Sequence, residues 1–115
     1  MRRGAMAVKT ESKNGLMICR VEGDIDINCS PDIKKAFDKL ISQKTPKIVI
    51  ELSKVAYVDS SGLATLVGIL KSMRSYGGKM RLAGMPPKIK SLFEITKLDK
   101  LFEIMASEEE AVAGL

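Results

Sequence analysis

The sequence predicts a single α/β domain, built on a mixed, mostly parallel sheet that starts with an antiparallel hairpin and continues through crossover helices. Three observations carry this expectation. Compact β-branched runs alternate with segments of helical apolar spacing, in the order ββαβαβαβα. Only a short Asn-Gly turn separates the first two strand-like runs, whereas a helical segment separates each later pair and so calls for parallel pairing. A length of 115 residues with 45% hydrophobic content suits one core, and no linker, repeat or low-complexity tract divides residues 1–115, whose core is expected at about 8–114.

The elements follow in order. Ala7 to Glu11 and Leu16 to Glu22 flank the polar turn Ser12-Lys13-Asn14-Gly15, whose Asn-Gly pair tolerates positive φ. In the second strand Met17, Cys19 and Val21 point one way and Leu16, Ile18, Arg20 and Glu22 the other, a half-polar pattern expected toward a sheet edge. Ser30-Pro31 supplies an N-cap hydroxyl and a proline suited to the first helical turn. A helix then runs to near Gln43, with Ile33, Ala36, Phe37, Leu40 and Ile41 as its apolar stripe. Lys47 to Leu52 is β-branched with little alternation, as a central strand covered on both faces should be.

Leu63, Leu66, Val67, Leu70 and Met73 mark a second helix, stopped by Gly77-Gly78. Lys79 to Ala83 reads as a strand, and Pro86-Pro87 opens a short helix carrying Ile89, Leu92 and Phe93. Leu101 to Met105 is a last short strand. Ser107 and Glu110 then stand at capping-box spacing, so the chain is expected to end in a helix.

Composition narrows the function classes. Nineteen Lys and Arg against fourteen Asp and Glu give a net charge of +5, but the basic residues are dispersed and aromatics make up only 4%, so no direct nucleic-acid partner is expected. The chain contains no His, which removes the Ser-His-Asp and Cys-His nucleophile pairs and the commonest metal ligand. No metal and no cofactor are expected, and no G-x-x-x-x-G-K-[ST] or G-x-G-x-x-G loop is present. No apolar run is long enough to span a membrane, and the start Met1-Arg2-Arg3-Gly4-Ala5-Met6-Ala7 lacks the apolar stretch of a signal peptide, so a cytoplasmic protein without a membrane partner is expected. Cys19 and Cys29 are read as reduced thiols and the seven Met residues as core filler.

The chemistry concentrates in Asp59-Ser60-Ser61-Gly62, at the carboxyl end of the sheet where a helix opens. A helix N-terminus favours anions, and a hydroxyl or carboxylate there serves equally well as an ordinary cap. Both uses stay open for the tetrad taken alone.

The run Val58-Asp59-Ser60-Ser61-Gly62-Leu63, with Gly23-Asp24-Ile25-Asp26 about 35 residues upstream, the strand Ile48 to Leu52 and the later Gly77-Gly78-Lys79, resembles the STAS domain of sulfate transporters and bacterial anti-sigma factor antagonists. The resemblance covers about Val8 to Gly114. It implies a phosphoprotein of transcription regulation that works by partner switching. The unphosphorylated form binds an anti-sigma factor with serine kinase activity and so releases the sigma factor. Phosphate on the first serine, Ser60, ends that binding, and a metal-dependent serine phosphatase restores it.

Ser61 is the alternative phosphoacceptor. The resemblance also implies a partner-binding face of Asp24, Asp26, Asp59, Ser60, Ser61 and Gly62, although Asp24 and Asp26 serve equally as loop carboxylates satisfying nearby N–H groups. On this reading the chain is a substrate and not an enzyme. Two other readings remain: a STAS regulatory or scaffold module of another signalling or transporter system, and a weak nucleotide-binding or hydrolytic enzyme acting through Asp59 and Ser60.

Overall fold

The hairpin is the first element of the computed structural model, which describes residues 7–115. The basic start of the chain, residues 1–6, on which the expectation of no signal peptide rests, lies outside the described residues. β1 (Ala7–Lys13) and β2 (Leu16–Ile25) pair antiparallel around Asn14 and Gly15, whose φ values of 52° and 78° are those of a type I′ turn. The order then continues as α1 (Ser30–Ser42), β3 (Lys47–Val58), α2 (Ser60–Arg74), β4 (Lys79–Ala83), α3 (Pro87–Ile95), a 3-10 turn at Leu98–Lys100, β5 (Glu103–Met105) and α4 (Glu108–Val112). The five strands lie in the order β1-β2-β3-β4-β5, with all pairs after the first parallel. The α/β class, the element order and the mixed sheet are as the sequence predicts.

α1, α2 and α3 cover one face of the sheet. Ile33, Phe37 and Leu40 of α1, Leu63, Leu66, Ile69, Leu70 and Met73 of α2, and Ile89 and Phe93 of α3 close over Cys19, Val21, Ile48, Ile50, Leu52 and Leu82. The other face carries a smaller cluster, Leu16, Ile18, Val49 and Ala83, under Ala111 of α4. That short helix is clamped by Arg20, whose Nε and Nη2 each donate to a Glu108 carboxylate oxygen at 2.8 Å. The guanidinium holds the Glu108 carboxyl below its ordinary range. Cys19 is buried, and desolvation pushes its thiol up to about 12, so it stays protonated as a core side chain.

Four local expectations change. β2 is not an edge strand: it is paired on both sides, and β1 forms the edge. Ser30 is not the N-cap of α1, because the cap is Cys29, without a side-chain cap bond, and the Ser30 hydroxyl donates instead to the Asp26 carbonyl at 2.7 Å. Ala36 is exposed, so the stripe on α1 is Ile33, Phe37 and Leu40 with Ile41 half-buried.

The fourth change matters most for the site. β3 does not stop at Leu52 but runs to Val58, pairing Lys54, Val55, Tyr57 and Val58 with Glu22, Gly23, Asp24 and Ile25 of β2. Register shifts between Arg20 and Glu22 and between Gly23 and Asp24 break the period-two alternation, which is why the strand pattern in the sequence ends at Leu52. β2 and β3 together therefore project past the end of β4, whose pairing with β3 ends at Ala83 and Glu51. The tetrad stands at the end of that projection.

Candidate functional site

Asp59 organises the rim through its carboxylate and its backbone. The backbone is extended and Oδ1 accepts from the Gly62 N–H at 2.9 Å, which makes Asp59 the N-cap of α2. Its Oδ2 accepts from the Ile27 N–H at 3.1 Å, in the loop between β2 and α1. Its own N–H donates to the Ile25 carbonyl at 3.2 Å. One carboxylate thus ties a helix start to a loop 32 residues away in sequence.

Both oxygens accept, and an amide offers only one. Asp59→Asn is therefore expected to destabilise the fold by about 1 kcal/mol and Asp59→Ala by about 2 kcal/mol. Urea unfolding midpoints check this, and an Asn variant as stable as wild type would remove the second bond from consideration.

The loop held by Asp59 is itself closed. Asp26 Oδ1 accepts from the N–H groups of Asn28 at 3.0 Å and Cys29 at 3.1 Å, and its carbonyl accepts from Cys29 and Ser30 N–H. This is an Asx turn, in which the carboxylate stands in for a backbone acceptor. Asp26 thus fills the loop-satisfying role left open by its sequence. Asp24, half-buried, lies beside Tyr57 in the β2–β3 register and is not used in this way.

The two serines are sharply unlike. Ser60, the first residue of α2, is exposed, and none of the side-chain hydrogen bonds among the described residues uses its hydroxyl. Ser61 is half-buried, and its hydroxyl donates to Ser30 Oγ at 3.2 Å, which in turn donates to the Asp26 carbonyl. A hydroxyl relay thus runs from α2 back to the loop. Gly62 is buried where α2 meets the end of β2, and a Cβ there would stand 2.2 Å from the Ile25 carbonyl oxygen. The glycine is a requirement of close approach, since its φ is not in the left-handed region.

All six residues implied for the partner face therefore meet at one rim. Three others at this rim are absent from that implied set. Ile27 and Tyr57 are large apolar side chains left 69% and 53% exposed, and Ser30 is the middle member of the relay. An apolar residue placed just past a strand end, in Asp24-Ile25-Asp26-Ile27-Asn28, is the only sequence sign of Ile27, and it is weak because Ile25 beside it is core. Among the described residues no group of three or more Cys, Asp and Glu is placed to hold a metal ion, and no helix is long and apolar enough to cross a membrane.

The likeness to known proteins follows the same outline. The family model of the STAS domain matches residues 7–111. An anti-sigma-B factor antagonist of Listeria monocytogenes is 36% identical over 90 residues, covering 78% of this chain and 79% of the relative. An anti-sigma F factor antagonist of Paenibacillus polymyxa is 27% identical over 111 residues, covering 96% and 95%. The crystal structure of an anti-sigma factor antagonist from Mycobacterium paratuberculosis superposes with a TM-score of 0.88 at 23% identity, over 96% of this chain and 94% of that one, a likeness of fold. With the profile spanning the sheet, all three large helices and the Asp59 to Gly62 rim, the chain belongs to the STAS domain family.

Proposed function

We propose that this chain is an anti-sigma factor antagonist whose hold on its partner is released by phosphate on Ser60. The observation that carries the reading is the division of labour between adjacent serines: Ser60 faces solvent with an unengaged hydroxyl, whereas Ser61 is turned inward onto Ser30. A kinase has to bring a hydroxyl in line with a γ-phosphate, and an exposed residue on the first turn of a rigid helix offers that geometry without unfolding the chain. The names of the Listeria and Paenibacillus relatives support the partner class.

On this reading the unphosphorylated protein binds an anti-sigma factor that is itself a serine kinase, and the sigma factor goes free. A metal-dependent phosphatase resets the switch, and the exchange takes place in the cytoplasm. The chain serves as substrate and ligand, not as catalyst. The Ser60 hydroxyl has no histidine to activate it, and both oxygens of neighbouring Asp59 are directed at backbone N–H groups.

Incubation with the cognate kinase and ATP, followed by mass-spectrometric mapping, tests the assignment. One phosphate on Ser60 is the expected result. Phosphate found only at Ser61, Ser53 or Ser30 overturns it.

A further inference from the structure

Among the described residues three large apolar side chains are strongly exposed: Ile27, Tyr57 and Ile95. Ile95 is the last residue of α3, the helix that follows β4, and β4 lies on the other side of β3 from β2. Ile27 and Tyr57 belong to the rim itself. Tyr57 is the register neighbour of Asp24, and Ile27 is bonded through its N–H to the side chain of Asp59, the residue before Ser60. An exposed isoleucine adds little to the fold, and a single one on a surface is unremarkable. Its setting makes this one different.

The Ile27 backbone is pinned on both sides. Asp59 Oδ2 takes its N–H, and the Asx turn of Asp26 closes over it through Asn28 and Cys29. Ser30, just beyond, is buried and bonded to the Asp26 carbonyl. The backbone that carries this side chain is thus held in place before binding, so a partner that buries it loses little backbone conformational entropy in doing so.

We infer that Ile27 is a preorganised anchor for the anti-sigma factor, inserting into an apolar socket on that partner beside the point where Ser60 docks. This rests on the partner reading given above. The charges specify one margin of the socket: Asp24 and Asp26 both precede Ile27 in the chain, so the partner surface on that side of the apolar centre carries Lys or Arg. Asp59 is then a positioning residue for the anchor as well as a helix cap, because its second oxygen sets where the Ile27 backbone lies.

The test measures binding of the purified chain to an anti-sigma factor kinase from its own genome, by calorimetry, for wild type, Ile27→Ala, Ile27→Leu and Ile95→Ala. Removing most of the side chain is expected to weaken binding about 10- to 100-fold in Ile27→Ala, at unchanged thermal stability. Ile27→Leu, of equal volume, should stay within about threefold of wild type, and Ile95→Ala should bind as wild type does. A second readout uses catalysis by the partner: Ile27→Ala should raise the KM for Ser60 phosphorylation with kcat preserved, as loss of uniform binding requires. Wild-type binding together with unchanged Ile27→Ala affinity overturns the anchor and leaves the partner reading intact. Failure of the wild-type chain to bind overturns both.

Discussion

Ser60→Asp is expected to lower affinity for the anti-sigma factor by more than about 100-fold, while Ser60→Ala stays bound and no longer responds to ATP. The size follows from where the charge would sit. Ser60 opens α2, so within the free chain a carboxylate or phosphate there lies at the positive end of the helix, next to backbone N–H groups that tolerate it. The fold should therefore hold, and the melting temperature of Ser60→Asp should remain close to wild type.

Across an interface the balance reverses. A charge pressed against a surface shaped for a neutral hydroxyl loses its water, and Asp59 already brings negative charge to the adjacent position. A cost of about 3 kcal/mol gives the stated factor, and a phosphate, with nearly twice the charge, should exceed it. Dissociation constants measured for the three proteins decide the matter. Wild-type affinity in Ser60→Asp, with the fold intact, would remove electrostatic exclusion as the basis of the switch.

Gly62→Ala is expected to be the most damaging small substitution at the rim. Its Cβ would lie 2.2 Å from the Ile25 carbonyl oxygen and 2.8 Å from Ile25 Cγ2. The first of these is backbone, and Ile25 is fully buried, so neither atom has room to yield. Relief means moving α2 away from the end of β2. That movement stretches the Asp59 N–H to Ile25 carbonyl bond and, with it, the Asp59 tether to Ile27.

Overpacking of this kind, with one or two hydrogen bonds lost, amounts to about 3 kcal/mol and a fall of about 10 to 20 °C in melting temperature. Gly68 supplies the contrast. It lies in the same helix, and a methyl group added there would meet nothing within 4 Å, so Gly68→Ala should stabilise the protein by up to about 1 kcal/mol through helix propensity alone. Calorimetric scans of the pair separate the two effects, and equal melting temperatures would show that the close approach at Gly62 is readily relaxed.

The proposed anchor and the proposed switch call on different physical terms at the same rim. Ile27 is expected to act through apolar area, which phosphorylation leaves untouched, whereas Ser60 acts through charge. Ionic strength should therefore affect the Ser60→Asp penalty more than the Ile27→Ala penalty, since salt screens one and not the other. Asp59 serves both, because one oxygen caps the helix that presents Ser60 and the other fixes the loop that presents Ile27.

Whatever depends on local periodicity and local chemistry was legible in the chain before it folds. The spacing of apolar residues in α2, the Asn14-Gly15 turn and the β-branched run at Lys47 to Leu52 each specify an element without reference to distant residues, and their alternation specifies a parallel sheet. The tetrad Asp59 to Gly62 was legible as a helix start for the same reason, and the lack of histidine bounded its chemistry. What those four residues do with their side chains is settled only in three dimensions. Ser60 and Ser61 are the same residue type one position apart, and on a helix that step turns a side chain by about 100°, so only the packing of α1 against α2 shows which hydroxyl meets Ser30 and which meets solvent. The extension of β3 to Val58 likewise depends on the bulged pairing with β2, and the exposure of Ile27 beside buried Ile25 depends on a bond to a carboxylate 32 residues away. Each of these rests on contacts between segments distant in the chain, which no local pattern encodes.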